Sequence, residues 1–204
     1  MKTATSQEQA ERERNASSLA RQLDSPWGQQ NPHEIAWLLE RIRGVRSVLE
    51  IGSCFGRSLE HFASVMVPGA IIRSIDLGHS DEWLPGIDTT IALKRVITKL
   101  KVGGFDADVI IADSKSAEAI SWAKASAPYD LIFIDADHSY EGVLEDWRTY
   151  SSMGHLVAFH DIAHRDHGVR RLWSEIKAQG NRTEECIDSP MGIGIVYMDT
   201  KREL

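Results

Sequence analysis

The sequence predicts an α/β fold in which a doubly wound, mostly parallel sheet is closed by a C-terminal antiparallel hairpin. Three observations predict it. Five short apolar runs, Ser47–Ile51, Ile71–Asp76, Asp108–Ala112, Leu131–Asp135 and Leu156–Phe159, are too uninterrupted to alternate, as expected of parallel strands buried on both faces. Helical stretches at Arg57–Val67, Thr89–Leu100, Ser116–Ala125 and Tyr140–Ser151 separate them, which implies βαβ units with right-handed crossovers. After a further helix at Gly168–Ala178, the runs Thr183–Ile187 and Ile193–Met198 flank Ser189-Pro-Met-Gly192 and read as an antiparallel pair.

Ahead of the first strand, Asn31-Pro-His-Glu34 opens a helix. Asn31 suits the cap, Pro32 the first helical position, and Glu34 completes a capping-box pattern. Ile35, Trp37, Leu38, Leu39 and Ile42 give this helix an apolar face. Residues 1–30 are polar and charged with sparse apolar positions, and read as a loosely attached helix or frayed tail. No repeat or linker divides residues 31–204, which are expected to form a single domain.

The 204 residues carry a formal net charge of −7, with 42% hydrophobic and 26% charged residues. A core of this size needs no disulfides. The acidic balance argues against a nucleic-acid-binding protein, for which a basic stripe is expected, and leaves small molecules as the expected partners. Cys54 and Cys186 stand in no metal-ligand spacing, the first residues contain no secretory apolar core, and no apolar run approaches the ~20 residues of a membrane helix. A reduced, cytoplasmic protein without membrane contact is the expectation. The terminal Lys201-Arg-Glu-Leu204 resembles a retention signal, which means little without an entry signal. The Pro32–Ile42 helix and the segment before it are the surfaces available for a homo-oligomer.

Ligands of doubly wound sheets bind outside the carboxyl ends of the strands. After the first strand, Glu50-Ile-Gly52-Ser-Cys-Phe-Gly56-Arg-Ser58 places Gly52 for a tight turn and Gly56 for close packing at the next helix. Cys54 breaks the dinucleotide pattern G-x-G-x-x-G. Asp76 ends the second strand twenty residues beyond Gly56, where a carboxylate can accept from both ribose hydroxyls. The third strand ends at Ala112-Asp-Ser114, where Asp113 either meets an adenine edge or caps the next helix. Glu50 would repel a pyrophosphate but suits the positive end of S-adenosylmethionine, directly or through water.

The chemistry is expected around Asp135-Ala-Asp-His-Ser-Tyr-Glu-Gly142 and His160-Asp161. Asp135 and Asp161 end neighbouring strands, ~4.8 Å apart, so that two carboxylates can surround one hard cation such as Mg²⁺. With His160 as an inner ligand, Mn²⁺, Fe²⁺ or Zn²⁺ become better candidates. His138, with an ordinary pKa of ~6.5, can accept a proton near neutrality. His164-Arg-Asp-His167 has a histidine density that suggests zinc, but irregular spacing and no H-E-x-x-H pattern; it reads as a mobile loop over the site. Most of the six tryptophans sit at helical apolar positions. Trp83, in the loop Gly78–Gly86, is the one placed to touch adenine or substrate.

Together these motifs resemble the class I S-adenosylmethionine-dependent methyltransferases, with a Rossmann-like fold, and more narrowly the metal-dependent small-molecule O-methyltransferases acting on antibiotic and sugar hydroxyls. Gly168-Val169 with Trp173 and Gly192-Ile-Gly-Ile195 belong to the same resemblance, which runs from about Pro32 to Met198. It implies Asp135, Asp161 and His160 around the metal and His138 as general base, at the position where catechol and caffeoyl-CoA O-methyltransferases carry a lysine. The candidate cofactor-binding set is Glu50, Gly52, Ser53, Gly56, Ser58, Asp76, Leu77, Asp113, Ser114 and Asp135. The reading is an O-methyltransferase using S-adenosylmethionine and a divalent cation on a small hydroxyl compound. A metal-independent methyltransferase and a non-catalytic binding module are the alternatives.

Overall fold

The computed structural model describes residues 30–80 and 84–198. The expected helix or tail before residue 30 lies outside these, as do Trp27 and Trp83.

Helix α1 (Pro32–Arg41) starts as its sequence dictates: the Asn31 side chain accepts from the His33 amide and Pro32 takes the first turn, where a missing N–H costs nothing. Glu34 does not close a capping box. It is fully buried, and its carboxylate instead accepts from the Ser189 amide and hydroxyl and from the Gly192 amide, 2.9–3.1 Å away. The pattern of spacing was right for a cap, but three donors from a distant turn outcompete one local amide.

The sheet elements follow as β1 (Ser47–Ile51), α2 (Arg57–Ala63), β2 (Ile71–Asp76), a small antiparallel pair β3 (His79–Ser80) and β4 (Leu84–Asp88), α3 (Thr90–Val102), β5 (Asp106–Ile111), α4 (Ala117–Lys124), β6 (Tyr129–Ile134), α5 (Tyr140–Tyr150), β7 (Gly154–His160), α6 (Gly168–Ala178), β8 (Thr183–Cys186) and β9 (Ile193–Tyr197). The loop expected at Gly78–Gly86 therefore holds the β3–β4 pair. Helix α2 is shorter than its apolar pattern suggested.

Seven strands form one sheet in the order β5-β2-β1-β6-β7-β9-β8, with every neighbour from β5 to β7 parallel and β9 antiparallel to both β7 and β8. The expected hairpin is present, with its second strand inserted beside β7 and its first at the edge. The chain runs outward from β1 to β5, then returns to β6 and continues to the other side. That reversal opens a crevice above the carboxyl ends of β1 and β6.

Alternation along each central strand sends side chains to two cores. Val48, Leu131 and Phe133 pack under α1, α2 and α3, against Leu38, Phe62 and Leu93. Leu49, Ile132 and Ile134 pack under α4, α5 and α6, against Ala119, Val143 and Trp173. All five residues of β1 are buried, and Val48, Leu49 and Ile51 are the apolar residues that made the strand legible. Edge strand β5 buries far less of itself. Among the described residues no helix is long and apolar enough to cross a membrane.

Candidate active site

A cavity of about 530 Å³ occupies the crevice. Its wall on one side comes from Gly52, Ser53, Ser58, Asp76 and Leu77, with Asp113 and Ser114 beside them; at the other end stand Asp135, His138, His160 and Asp161. Two residues of the expected set do not line it. Gly56 lies behind the loop, where its missing Cβ lets α2 sit on Leu93 and Val96. Glu50 is fully buried below.

Gly52 shows why the loop can be so close. A Cβ there would lie 2.2 Å from the Asp135 carbonyl oxygen, and its φ of +85° is one that side-chain-bearing residues rarely adopt. Cys54 has the left-handed φ of 50° that a glycine would take freely, so the departure from glycine in sequence is no departure in backbone shape. Burial pushes the Cys54 thiol up to about 11, which makes it a poor nucleophile.

Asp76 organises this loop. Its Oδ2 accepts from the amides of Ser53 and Cys54 at 2.8 and 2.7 Å, and its Oδ1 from that of Gly78 at 2.7 Å. Three of roughly four acceptor positions are thus used within the protein. Beneath it, Glu50 accepts from the Ser53 hydroxyl, which also contacts that of Ser74. Burial pushes the Glu50 carboxyl up to about 8 despite hydrogen bonds from Ser53 and Ser58, and its Oε1 has no hydrogen-bond partner among the described residues.

The Asp113 alternative is decided against the cap. Ser116 caps α4 by accepting from the Ala119 amide, while Asp113 turns back onto the Lys115 amide at 2.9 Å and faces the cavity. Ser114 donates to Asp146 of α5 at 2.7 Å, and its carbonyl accepts from the Tyr150 hydroxyl. Asp137 does not cap α5 either. Ser139 does, and Asp137 pairs with Lys115 at 3.2 Å across the cavity mouth.

At the chemistry end, the parallel register aligns Ile134 with Phe159, so Asp135 comes level with His160 and Asp161 stands one residue further. Asp161 has a φ of 62°, a left-handed turn that swings its carboxylate back over the strand ends. Both acids thereby reach the same space. His160 Nδ1 lies 3.1 Å from Asp135 Oδ1 and 3.4 Å from Asp161 Oδ1. His138 Nε2 is 3.1 Å from Asp161 Oδ2 and 3.8 Å from Asp135 Oδ1. Burial alone would raise the Asp135 carboxyl, but the charges and hydrogen bonds of His160 and His138 hold it well below the usual carboxylate range. Burial likewise opposes charge on His160, and Asp135, Asp161 and Glu34 overcome it, raising that imidazole to about 9.

Sequence reasoning missed Gln30, whose Nε2 donates to Asp135 Oδ2 at 3.0 Å from the edge of the N-terminal segment. No periodicity marks such a contact. In the loop after Asp161, His167 caps α6 by position, lies 3.1 Å from Asp161 Oδ2 through Nδ1, and stacks between the rings of His138 and His164.

Comparison with known proteins gives the family and the fold. A family model described as "Methyltransferase domain" matches residues 49–162, from β1 to the turn just past Asp161 and more than half of the chain. No curated protein matches. Among solved structures, the O-methyltransferase TomG from Streptomyces achromogenes, involved in tomaymycin synthesis and solved in complex with SAM, is 18% identical with a TM-score of 0.58 over 92% of this chain and 89% of that one. An O-methyltransferase from Bacillus cereus in complex with SAH is 15% identical, with a TM-score of 0.58 over 92% and 91%. A putative caffeoyl-CoA O-methyltransferase from Staphylococcus aureus is 16% identical, with a TM-score of 0.59 over 91% and 92%. At these identities the likeness is one of fold.

Proposed function

Since this chain belongs to the methyltransferase-domain family, we propose that it transfers a methyl group from S-adenosylmethionine to a hydroxyl of a small molecule, with His138 as general base. One observation carries the reading: Asp135, Asp161 and His138 converge at one end of a cavity whose other wall is the Gly52–Asp76–Ser114 surface. The cavity volume lies in the range of small-molecule sites.

In this reading Asp76 takes a ribose hydroxyl with its remaining acceptor position, and Asp113 and Ser114 flank the adenine. Glu50, buried below the cavity, accepts from the Ser53 hydroxyl and so fixes the turn against which the methionyl end rests. S-adenosylmethionine supplies an electrophilic methyl group. The protein's task is then to hold an oxygen in line with it, an effect large in itself. His138, its Nε2 held by Asp161, takes the hydroxyl proton at its other ring nitrogen, Nδ1.

Asp135, His160 and Asp161 fit a divalent cation. They offer three ligand atoms within 4.8 Å of one another, and Asp161 Oδ1 is buried without a hydrogen-bond partner among the described residues. Such a cation would lower the pKa of a substrate hydroxyl. Two carboxylates suit Mg²⁺, while the imidazole favours Mn²⁺, Fe²⁺ or Zn²⁺. A specific observation favours a metal-independent variant: an imidazolium at His160, within 3.1 Å of Asp135 and 3.4 Å of Asp161, offsets one of the two carboxylate charges without a cation.

Calorimetric titration with S-adenosylhomocysteine, repeated with Mg²⁺ and with EDTA, tests the proposal. Micromolar binding, about 8 kcal/mol, is expected. Absence of binding in every condition overturns it, and turnover that survives EDTA selects the metal-independent variant.

A further inference from the structure

The carboxylate of Asp161 faces two different sets of groups. Its Oδ1 looks toward His160 and Asp135, the set discussed above. Its Oδ2 receives His138 Nε2 and His167 Nδ1, each at 3.1 Å, from two separate loops. Those loops are tied together, because the Gly168 amide donates to the His138 carbonyl at 2.8 Å.

We propose that His138, Asp161 and His167 form a second cation site, selective for first-row transition metals and sharing Asp161 with the first. One ligand atom from each lies within 4.8 Å of the others. Two ligand atoms bonded to a common ion at ~2.1 Å, with angles between square and tetrahedral, are ~3.0–3.4 Å apart. The two 3.1 Å separations fall inside that interval. Two imidazoles and one carboxylate form the donor set of facial-triad sites, with positions left open for other ligands, and imidazole prefers Zn²⁺, Co²⁺ or Fe²⁺ over Mg²⁺.

The surroundings are built for ligation. Asp161 is 2% exposed, and the side chains of His138 and His167 are 12% and 8% exposed. The His138 and His167 rings stack at 4.4 Å with 8° between planes, and His164 stacks on His167 at 3.8 Å, which fixes the approach of both nitrogens. The neighbouring His164 Nδ1 is buried without a hydrogen-bond partner among the described residues. Irregular spacing hid the site in sequence, since its ligands come from after β6, from after β7 and from the cap of α6.

The consequence for chemistry is exclusion. A metal bound at His138 Nε2 leaves the ring proton on Nδ1, so the imidazole can no longer accept one and loading switches the site off. That consequence rests on the role proposed for His138; the metal site does not.

Titration of the full chain with Co²⁺, followed by its visible d–d absorption, is the test. The wild type should bind with a spectrum typical of nitrogen ligands. His167→Gln and His138→Gln should each weaken that component by about tenfold or more, while Asp135→Asn, which removes a ligand of the first set only, should keep it. Unchanged Co²⁺ affinity and spectrum in both histidine variants would show hydrogen bonds only and overturn the proposal. Loss of all binding in Asp135→Asn would overturn it too, by showing one ion held in common. These outcomes are independent of S-adenosylhomocysteine binding, which tests the methyltransferase reading separately.

Discussion

His138 Nε2 lies 3.1 Å from Asp161 Oδ2, although the two residues follow different strands and are separated by all of α5 and β7. The contact orients the imidazole at the rim of the cavity. For His138→Ala we expect kcat/KM to fall by about 10²–10⁴, with the S-adenosylhomocysteine Kd within about threefold of wild type. Steady-state kinetics and calorimetry on the same preparation check this. Retained turnover removes the general-base role.

Asp135 sits between the cofactor wall and the His160–Asp161 pair, with Gln30 on its other oxygen. Asp135→Ala should abolish metal-stimulated turnover and leave cofactor affinity largely intact. If cofactor binding disappears instead, the division of the cavity into two ends is wrong.

The Glu50 carboxyl provides a test by pH. Its pKa is raised from 4.5 to about 8, chiefly by burial. Between those values the folded chain holds a proton that the unfolded chain has lost, so stability falls as pH rises through this window and levels off above it. Measured without ligand, the melting temperature of Glu50→Gln should therefore gain on wild type progressively from pH 5 to 8. A constant difference across that range would mean that Glu50 does not titrate there.

Gly194 of β9 lies under the Trp173 ring, where an added Cβ would come within 2.6 Å of two ring carbons. The ring is held by a hydrogen bond from its Nε1 to Glu185 and by the core around Phe159, and so has little room to yield. Gly194→Ala should cost about 1–3 kcal/mol by overpacking, lowering the melting temperature by about 2–4 °C for each of these. Thermal unfolding decides it.

Asp146 supports the proposed adenine wall from behind, accepting the Ser114 hydroxyl. Asp146→Ala should raise the S-adenosylhomocysteine Kd severalfold, through Ser114, while leaving Co²⁺ binding unchanged. Equal loss of both would indicate general damage to α5.

The sheet was legible in the sequence because its signals are local. Val48–Ile51 and Leu131–Ile134 are buried on both faces, and strands so placed are mostly apolar whatever their neighbours, Glu50 being the exception. The positions of Gly52, Asp76, Asp135 and Asp161 at strand ends followed from the same pattern, and the doubly wound topology put those ends on one side. Several assignments turned on competition between partners, which spacing does not encode. Glu34 fits a capping box but binds Ser189 and Gly192; Asp113 suits a cap but leaves capping to Ser116.

What the sequence by itself determined was therefore the order of strands and helices, the edge at which chemistry occurs, and the residue types gathered there. Which nitrogen meets which oxygen was decided only by tertiary structure. The one-residue offset between Asp135 and Asp161, the left-handed turn at Asp161 and the arrival of Gln30 and His167 each depend on register and on chain segments far apart in sequence. Apolar burial acts through composition and period, which a sequence displays. Hydrogen bonds and ion pairs are short-ranged and directional, and their partners exist only once the chain has folded.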